Sequence, residues 1–476
     1  MNQSMLFSDI KKKLVDANIF GKLKKKKIKF ITDHSEEVNS NALLVINNNK
    51  KYKRVYLKKA INKGLEAIIT NSYFKNIKIT QIVVKDLDKE ILKLLNLRQS
   101  FNPKKSIAIT GTNGKTSVTW YLAQICKYNK IPTKLTGTLG FYKDNKKVKN
   151  TFLTTPSNLE LFQFANSNKR NNDIFISEAS SHGLHQGRYN NLNIDIAAIT
   201  NLSHDHLDYH RTFKSYVESK MLLFTKVLNK NGTAVINSRL KNYKYFVSKI
   251  KSRNLKLITF GAKDVYFTQT KLLTLNILGK KYYIKDLKLN NIQKENLECA
   301  IACALAVKIK INDIIKTLDK LKSPSGRFEE IIYRKKSSKI IIDYAHTPDA
   351  MQNVLKSYTN KSFKPSLVFG CGGERDKSKR KKMSVIANKY AKKVYLTDDN
   401  PRNENANLIR KTLKKYCQKA RDISNRRLAI QTAISEMHEK DILIIAGKGH
   451  EKYQIINNKK FLFDDIEVAK NFIKSI

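Results

Sequence analysis

The sequence predicts an α/β protein of three domains, and three observations predict it. Short apolar runs that read as strands alternate with stretches of helical periodicity. Two prolines, Pro103 in QSFNPKKS and Pro324 in LKSPSGRF, sit in polar stretches directly before new strand-like runs. Glycines, only 17 in 476 residues, gather where such runs end. The two breaks divide the chain into residues 1–102, 103–323 and 324–476.

The first segment carries the short strands ALLVI, AIITN and QIVV around the helical stretch YLKKAINKGL, a small N-terminal α/β domain. The second opens with SIAIT and continues through IFISEAS, IDIAAITNLS, TAVINS and KLITF. Helical patterns such as TSVTWYLAQICKYN and YVESKMLLFTKVL separate these strands. Strand alternating with helix implies a parallel, doubly wound sheet, here of P-loop type because a glycine-rich turn follows its first strand. The third repeats the pattern with KIIIDYAH, SLVFGCGG, KVYLTDDN and DILIIAGKG, a C-terminal Rossmann-like domain whose four strands end in polar or glycine-rich turns. Ligands bind such sheets outside the carboxyl ends of their strands.

Lys and Arg number 92 against 40 Asp and Glu, a formal charge of +52, which points toward a polyanionic partner. The 41% hydrophobic content excludes a disordered basic tail as the character of the chain. The lysine clusters at Lys11 to Lys13 and Lys24 to Lys27 are of the kind that usually form solvated faces. Five cysteines without a C-x-x-C pair indicate neither a disulfide framework nor a zinc site. Cys299 and Cys303, four apart on an apolar helix, read as core. The N-terminus lacks the apolar core of a secretory signal and no 18 apolar residues run together, so a soluble cytoplasmic protein without membrane insertion is expected.

Three constellations carry chemistry. Gly111-Thr112-Asn113-Gly114-Lys115-Thr116-Ser117 lies between a strand and a helix. Its glycines let backbone N–H groups curl around phosphate oxygens, Lys115 reaches the outer phosphates, and Thr116 can ligate Mg²⁺. Two residues rather than four separate the first glycine from Gly114-Lys115, a departure from the common spacing. Next, five of nine histidines (His182, His185, His204, His206, His210) crowd between Glu178 and Lys220. Glu178 ends one strand and His206 follows another, so both fall at the carboxyl edge beside the nucleotide loop, where a Mg²⁺ ion would meet transferred phosphate. A histidine so placed is more often a hydrogen-bonded structural residue, and spacing alone leaves both readings open; the clustering favours the metal. Lys220 by itself reads as one more solvated lysine. The last constellation comprises Asp343 to Asp349, the GCGGERD turn with Arg375, Asp399-Asn400-Pro401-Arg402, and Gly447 to Glu451. Arginine forks suited to carboxylates stand beside Asp399 and Glu451, which suit an ammonium, so the mixture reads as a site for a zwitterion such as an amino acid.

GTNGKTS, TTPSNLELFQF, SEASSHGLHQGR, TNLSHDHLDYH, YVESKMLLF, SPSGRFE, DYAHTPDA, FGCGGERDKSKR, DDNPR and GKGHEKYQ together resemble, in order and spacing, the Mur ligases of peptidoglycan synthesis. The branch they resemble most adds diaminopimelate. The resemblance is weaker at the N-terminus, where the family's Asp-Ser-Arg element looks like His34-Ser35-Glu36. The family's Phe-Asn before the nucleotide-site asparagine is altered to Ile292-Gln293.

The resemblance implies ATP binding by residues 111–117 with Asn296, Arg327, Asp343 and His346. It implies that Ser35, Thr154, Thr155, Ser180, Gln186 and Arg188 hold UDP-N-acetylmuramoyl-L-alanyl-D-glutamate. It makes Thr116, Glu178 and His206 ligands of Mg²⁺, together with Lys220 once carbamylated to N6-carboxylysine, and makes Lys115, Lys220, Glu178 and His206 the catalytic set. Arg375, Asp399, Asn400, Pro401, Arg402, Gly447 and Glu451 match the amino-acid pocket. Arg402 would pair bidentately with the second carboxylate of meso-diaminopimelate, whereas lysine would set an ammonium against it. A cytoplasmic, monomeric ATP-dependent ligase acting through an acyl phosphate is expected, without nucleic acid as a partner. Two alternatives are a folylpolyglutamate-synthetase-like ligase and, from another class, a nucleic-acid-dependent P-loop ATPase suggested by +52.

Overall fold

The computed structural model describes all residues except 1–4, 23–26, 48–53, 97–101, 152, 168–171, 270–271 and 286. Part of the second lysine cluster and the start of the QSFNPKKS break therefore lie outside the described residues. An eleven-stranded sheet forms the middle of the molecule, and the strand Lys105–Thr110 lies fifth in it, next to the midpoint. That strand pairs in parallel with Ile174–Glu178 on one side and Ile194–Ile199 on the other. Thr133–Gly137 extends the parallel array outward on the first side, and Leu228–Asn237 followed by Lys256–Phe260 on the second. The register sets Glu178 opposite Ile109 and Ile199 opposite Thr110, so three carboxyl ends open onto one edge.

The doubly wound parallel core is as the alternation implies; the sheet as a whole is mixed. Antiparallel hairpins close both sides, Gly140–Lys143 with Lys146–Lys149 and Leu273–Ile277 with Lys280–Ile284. Asp144 and Asn145 both have positive φ, the two-residue turn geometry that matches strand twist. The outer strand Lys146–Lys149 is wholly exposed, and its lysines discourage edge pairing. On one face the helices Lys115–Tyr128 and Asn291–Ala306 pack over Ile107, Ile109, Ile176 and Ile196. Cys299 and Cys303 lie in that core, as their spacing indicated, and so does Cys126.

The N-terminal strands form a five-stranded sheet in which Phe30–Thr32, Ala42–Ile46, Ala67–Thr70 and Thr80–Val83 run parallel. One continuous apolar cluster joins Ile10, Leu43 and Ile69 of this unit to Phe175, Ile199 and Phe224 of the middle one. The C-terminal six-stranded sheet orders Glu329–Tyr333, Ser338–Asp343, Ile442–Ala446, Ser366–Phe369, Val394–Leu396 and Arg421–Asp422. Asp343 stands opposite Ala446 and Phe369 opposite Leu396, so the DYAH, GCGG, DDNPR and GKG turns emerge together. The helical pattern around Lys220 is shorter than its periodicity implied. An α-helix spans Phe213–Leu222, Leu223–Val227 is a single π turn, and a strand begins at Leu228.

Candidate active site

The nucleotide loop is shaped by what presses on it. Gly114 has φ +86°, and a Cβ there would lie 2.2 Å from Asn296 Oδ1, so the loop and the helix bearing Asn296 meet where no side chain fits. The Thr112 and Asn113 amides donate to the carbonyl and side chain of Asn201, each at 2.9 Å. The Thr112 hydroxyl lies 2.9 Å from that of Tyr216. The helix starting at Lys115 directs its first amides at the space above the loop, with Thr116 and Ser117 buried in its first turn.

Lysines fill that space from below. Lys115 Nζ donates to the carbonyls of Gly111 and Thr112 at 2.8 and 2.9 Å, and Lys220 Nζ donates to the same Gly111 carbonyl at 2.8 Å. Burial lowers the Lys115 amine, an effect opposed by Glu178 and Asp205. Lys220 is 1% exposed. Burial, then the neighbouring Lys115, holds its amine well below the ordinary lysine value, with Asp205 opposing. The solvated lysine that composition favoured is in fact buried.

Glu178, also 1% exposed, accepts from Thr116 Oγ1 at 3.0 Å and from Thr138 N at 2.9 Å, and its Oε2 lies 3.1 Å from Thr138 Oγ1. Burial raises its carboxyl, and Lys115 and Thr138 act against that rise. Gly137 makes room, because a Cβ there would sit 2.1 Å from Glu178 Oε1. Sequence reasoning missed Thr138; the glycine pair flanking it at a strand end, TGTLG, was the available signal. His206 adopts φ +54° and sets Nε2 3.4 Å from Asp205. Burial lowers its imidazole, and Asp205 opposes. Glu178 and His206 thus flank the central strand from opposite sides, with the charge of Lys115 acting on both.

Among the described residues, no three His, Cys, Asp or Glu side chains converge as a ready-made metal site. The adjoining oxygens of Thr116 and Glu178 are nonetheless the hard donors Mg²⁺ takes, and a cation there would offset the cost of ionising the buried carboxyl. Lys220 becomes a comparable oxygen donor only as a carbamate, so the residues fit the ion on that condition.

The residues expected to hold the acceptor adjoin this network. Thr138 Oγ1 lies 3.2 Å from Thr154 Oγ1, and Thr155 Oγ1 donates to the Glu178 carbonyl at 2.7 Å and accepts from Ser180 N at 2.9 Å. Arg188 donates to the Thr155 carbonyl and, through Nη2, to Gln186 Oε1 at 2.6 Å. Ser35 is half-buried in an N-terminal turn. Its neighbour His34 sets Nε2 3.0 Å from Glu160, while Lys149 bridges Glu160 at 2.9 Å and Glu37 at 2.8 Å. The altered element therefore meets the middle unit through charge.

On the C-terminal edge, Arg327 lies over the Tyr344 ring at 4.4 Å, and its charge acts on Glu178 and Lys115. Asp343 accepts from Phe328 N at 2.9 Å, which ties it to the backbone leading into this sheet. His346 Nδ1 lies 2.8 Å from the Tyr344 carbonyl, and burial, then Lys379, pushes its imidazole down to about 4. Lys379, which donates to the His346 carbonyl at 3.1 Å, was invisible among so many lysines.

The amino-acid cluster brings a correction. Glu451 already has an ammonium: Lys448, 0% exposed, lies 3.4 Å from Glu451 Oε2 and donates to Asn400 Oδ1 at 3.1 Å. Asn400 Nδ2 completes the triad, donating to Glu451 Oε2 at 2.8 Å. That leaves the buried Asp399, packed against Gly447, as the freer anion for a substrate ammonium. Arg402 Nη1 donates to the Gly373 carbonyl at 2.7 Å, and Arg402 and the exposed Arg375 flank Gly372. The Pro401 carbonyl packs on Gly373 so closely that a Cβ there would lie 2.0 Å away.

A buried-lysine phosphate loop facing a charged amino-acid cluster across two sheets defines an ATP-dependent amide-forming ligase, and comparison with known proteins agrees. Residues 109–307 match the Mur ligase middle domain and residues 326–449 the glutamate ligase domain of Mur ligases. The chain belongs to the Mur ligase family. It is 36% identical over 436 residues to the UDP-N-acetylmuramoyl-L-alanyl-D-glutamate–2,6-diaminopimelate ligase of Rickettsia montanensis, covering 88% of this chain and 90% of that one. A solved structure of a ligase of the same name matches with TM-score 0.64 and 28% identity over 99% of both chains. Folylpolyglutamate synthase of Mycobacterium tuberculosis, solved with ADP and AMPPCP, matches with TM-score 0.61 and 19% identity over 75% of this chain and 91% of that one, which shows a shared fold alone.

Proposed function

We propose that the chain adds meso-diaminopimelate to the D-glutamate of UDP-N-acetylmuramoyl-L-alanyl-D-glutamate, with ATP cleaved to ADP and phosphate, in cytoplasmic peptidoglycan precursor synthesis. The observation that supports it most is the run of contacts from Thr116 through Glu178 and Thr138 to Thr154, which makes the phosphate loop and the acceptor loop one surface. In this reading residues 1–102 hold the UDP end, 103–323 the ATP and 324–476 the amino acid, and one chain acts alone without nucleic acid or membrane insertion. Among the described residues no helix is long and apolar enough to cross a membrane.

The γ-carboxylate of D-glutamate attacks the γ-phosphorus of ATP, the bond to the β-phosphate oxygen breaks, and ADP leaves an acyl phosphate. Two anions meet in this step, so Lys115 exchanges its carbonyl partners for phosphate oxygens and offsets their repulsion. Asn296, Arg327, Asp343 and His346 position the nucleotide, and Thr155, Ser180, Gln186 and Arg188 hold the acceptor. The Lys220 amine, whose burial eases deprotonation, adds CO₂ through a new N–C bond once neutral and releases a proton to water, becoming an anionic carbamate. Thr116, Glu178, His206 and that carbamate would hold Mg²⁺, which would supply positive charge to offset that of the phosphate oxygens. Arg402 and Arg375 receive the carboxylates of diaminopimelate and Asp399 its ammonium. The reacting amine, once neutral, attacks the acyl carbon, the carbon–oxygen bond breaks, and phosphate departs.

The test is ADP release with the UDP-muramyl dipeptide and either meso-diaminopimelate or L-lysine. Wild type should use meso-diaminopimelate at least about 100-fold better, and Arg402→Ala should lose most of that preference. Equal use of the two by wild type would refute the proposed substrate.

A further inference from the structure

The Arg402 backbone sits at φ +54°, a conformation that a non-glycine residue holds only when its surroundings impose it. What imposes it is distant in sequence. Tyr453–Ile456 and Lys459–Leu462 form a two-stranded hairpin outside the six-stranded sheet, and its outer strand is wholly exposed. The hairpin grips the DDNPR turn and the residue after it through six hydrogen bonds. Arg402 N donates to the Ile455 carbonyl at 2.9 Å, and Asn457 N donates to the Arg402 carbonyl at 2.8 Å. Ile455 N donates to Asn400 Oδ1 at 3.0 Å, and Asn403 Nδ2 to Asn458 Oδ1 at 3.0 Å. Gln454 Nε2 donates to the carbonyls of both Asp398 and Asp399, at 3.1 and 3.0 Å.

We infer that this hairpin is a specificity clasp and that Gln454 is a positioning residue for the amino-acid substrate. It touches no proposed substrate position itself. By fixing the carbonyls that precede Asn400, it sets where Asp399 presents its carboxylate and where Arg402 projects its guanidinium. The distance between those two charges decides whether an amino acid with an ammonium at one end and a second carboxylate at the other spans the pocket. The clasp rests on the proposed reaction and names what tunes its selectivity.

Gln454→Met keeps the side-chain length and removes both donors. The account predicts a KM for meso-diaminopimelate about ten-fold higher, a similar fall in preference over L-lysine, and unchanged KM for ATP and for the UDP-muramyl dipeptide. Asn403→Ala, exposed and outside the pocket, should lower the same preference about two-fold, and reads the clasp should Gln454→Met fail to fold. A wild type that does not distinguish the two amino acids refutes the proposed reaction and the clasp with it. A wild type that distinguishes them, alongside variants that do so equally well or that weaken all three substrates in parallel, refutes the clasp alone.

Discussion

The two strand-end clusters that face each other use charge in opposite ways. At the central edge, Lys115 and Lys220 both donate to one carbonyl, and Glu178 is held by two threonines rather than by a close cation. At the C-terminal edge, cations and anions are matched inside the protein: Lys448 with Glu451, Arg380 with Glu404 at 2.7 Å, and Arg426 with Asp465 at 2.7 Å in a pair with 0% exposure on both sides. A buried ion without a partner costs several kcal/mol and shifts its pKa to shed its charge, whereas a paired one stays fixed. The central edge is thus electrostatically unfinished, and in the proposed reaction phosphate, metal and CO₂ would supply its missing charges. The C-terminal edge is preorganised, with little left to rearrange when an amino acid arrives.

The largest effect should come from striking the unfinished edge. Lys115→Ala removes the cation proposed to meet the transferring phosphoryl group, and kcat should fall on the order of 1000-fold while the KM for meso-diaminopimelate stays within about two-fold. A comparable loss spread over both parameters would mean that the edges are not separable. The pocket variants come next, because Arg402→Ala and Gln454→Met act on preference and KM in an otherwise finished site.

The smallest effect on catalysis, but a clear one on stability, concerns Glu298 on the helix that bears Asn296. Its carboxylate accepts from Phe267 N at 2.7 Å, with Arg239 only 3.7 Å away, and burial pushes its carboxyl up to about 7. A raised acid contributes its stability in full below its ordinary value of 4.5 and loses it as pH rises through about 7. Wild type should therefore lose about 3 kcal/mol from this group between pH 5 and 9. Glu298→Gln keeps an acceptor for Phe267 and should flatten the dependence in denaturant titrations. Parallel profiles for the two proteins would show that Glu298 ionises freely.

The finished edge was the harder one to read from sequence, although its glycine turns were plain. GTNGKTS, GCGG and GKG stand out because glycines are scarce and fall at strand ends, where backbones approach closely. Lys379 and Lys134, which pairs with Asp173 at 3.0 Å, look in sequence like any of the 92 cations, and only topology brings their partners near. Thr138 was missed although glycines flank it, since only the folded strand end shows that its amide and hydroxyl reach Glu178. The antiparallel hairpins at the sheet edges escaped the reading because strand-helix alternation says nothing about strands joined by two-residue turns. Lys220 shows the limit from the other side. Composition favoured a solvated lysine and the family resemblance a carbamylated one; the structure buries the side chain at 1% exposure, which rules out the solvated reading.

The central claim is that the unfinished edge activates the acceptor carboxylate as an acyl phosphate before the finished edge delivers the amine. The most direct measurement uses UDP-muramyl dipeptide carrying a heavy oxygen isotope in the D-glutamate γ-carboxylate, turned over with ATP, Mg²⁺ and meso-diaminopimelate. The account predicts that each phosphate released carries one carboxylate oxygen and shows the corresponding mass increase. Unlabelled phosphate, formed alongside the amide product, would contradict it.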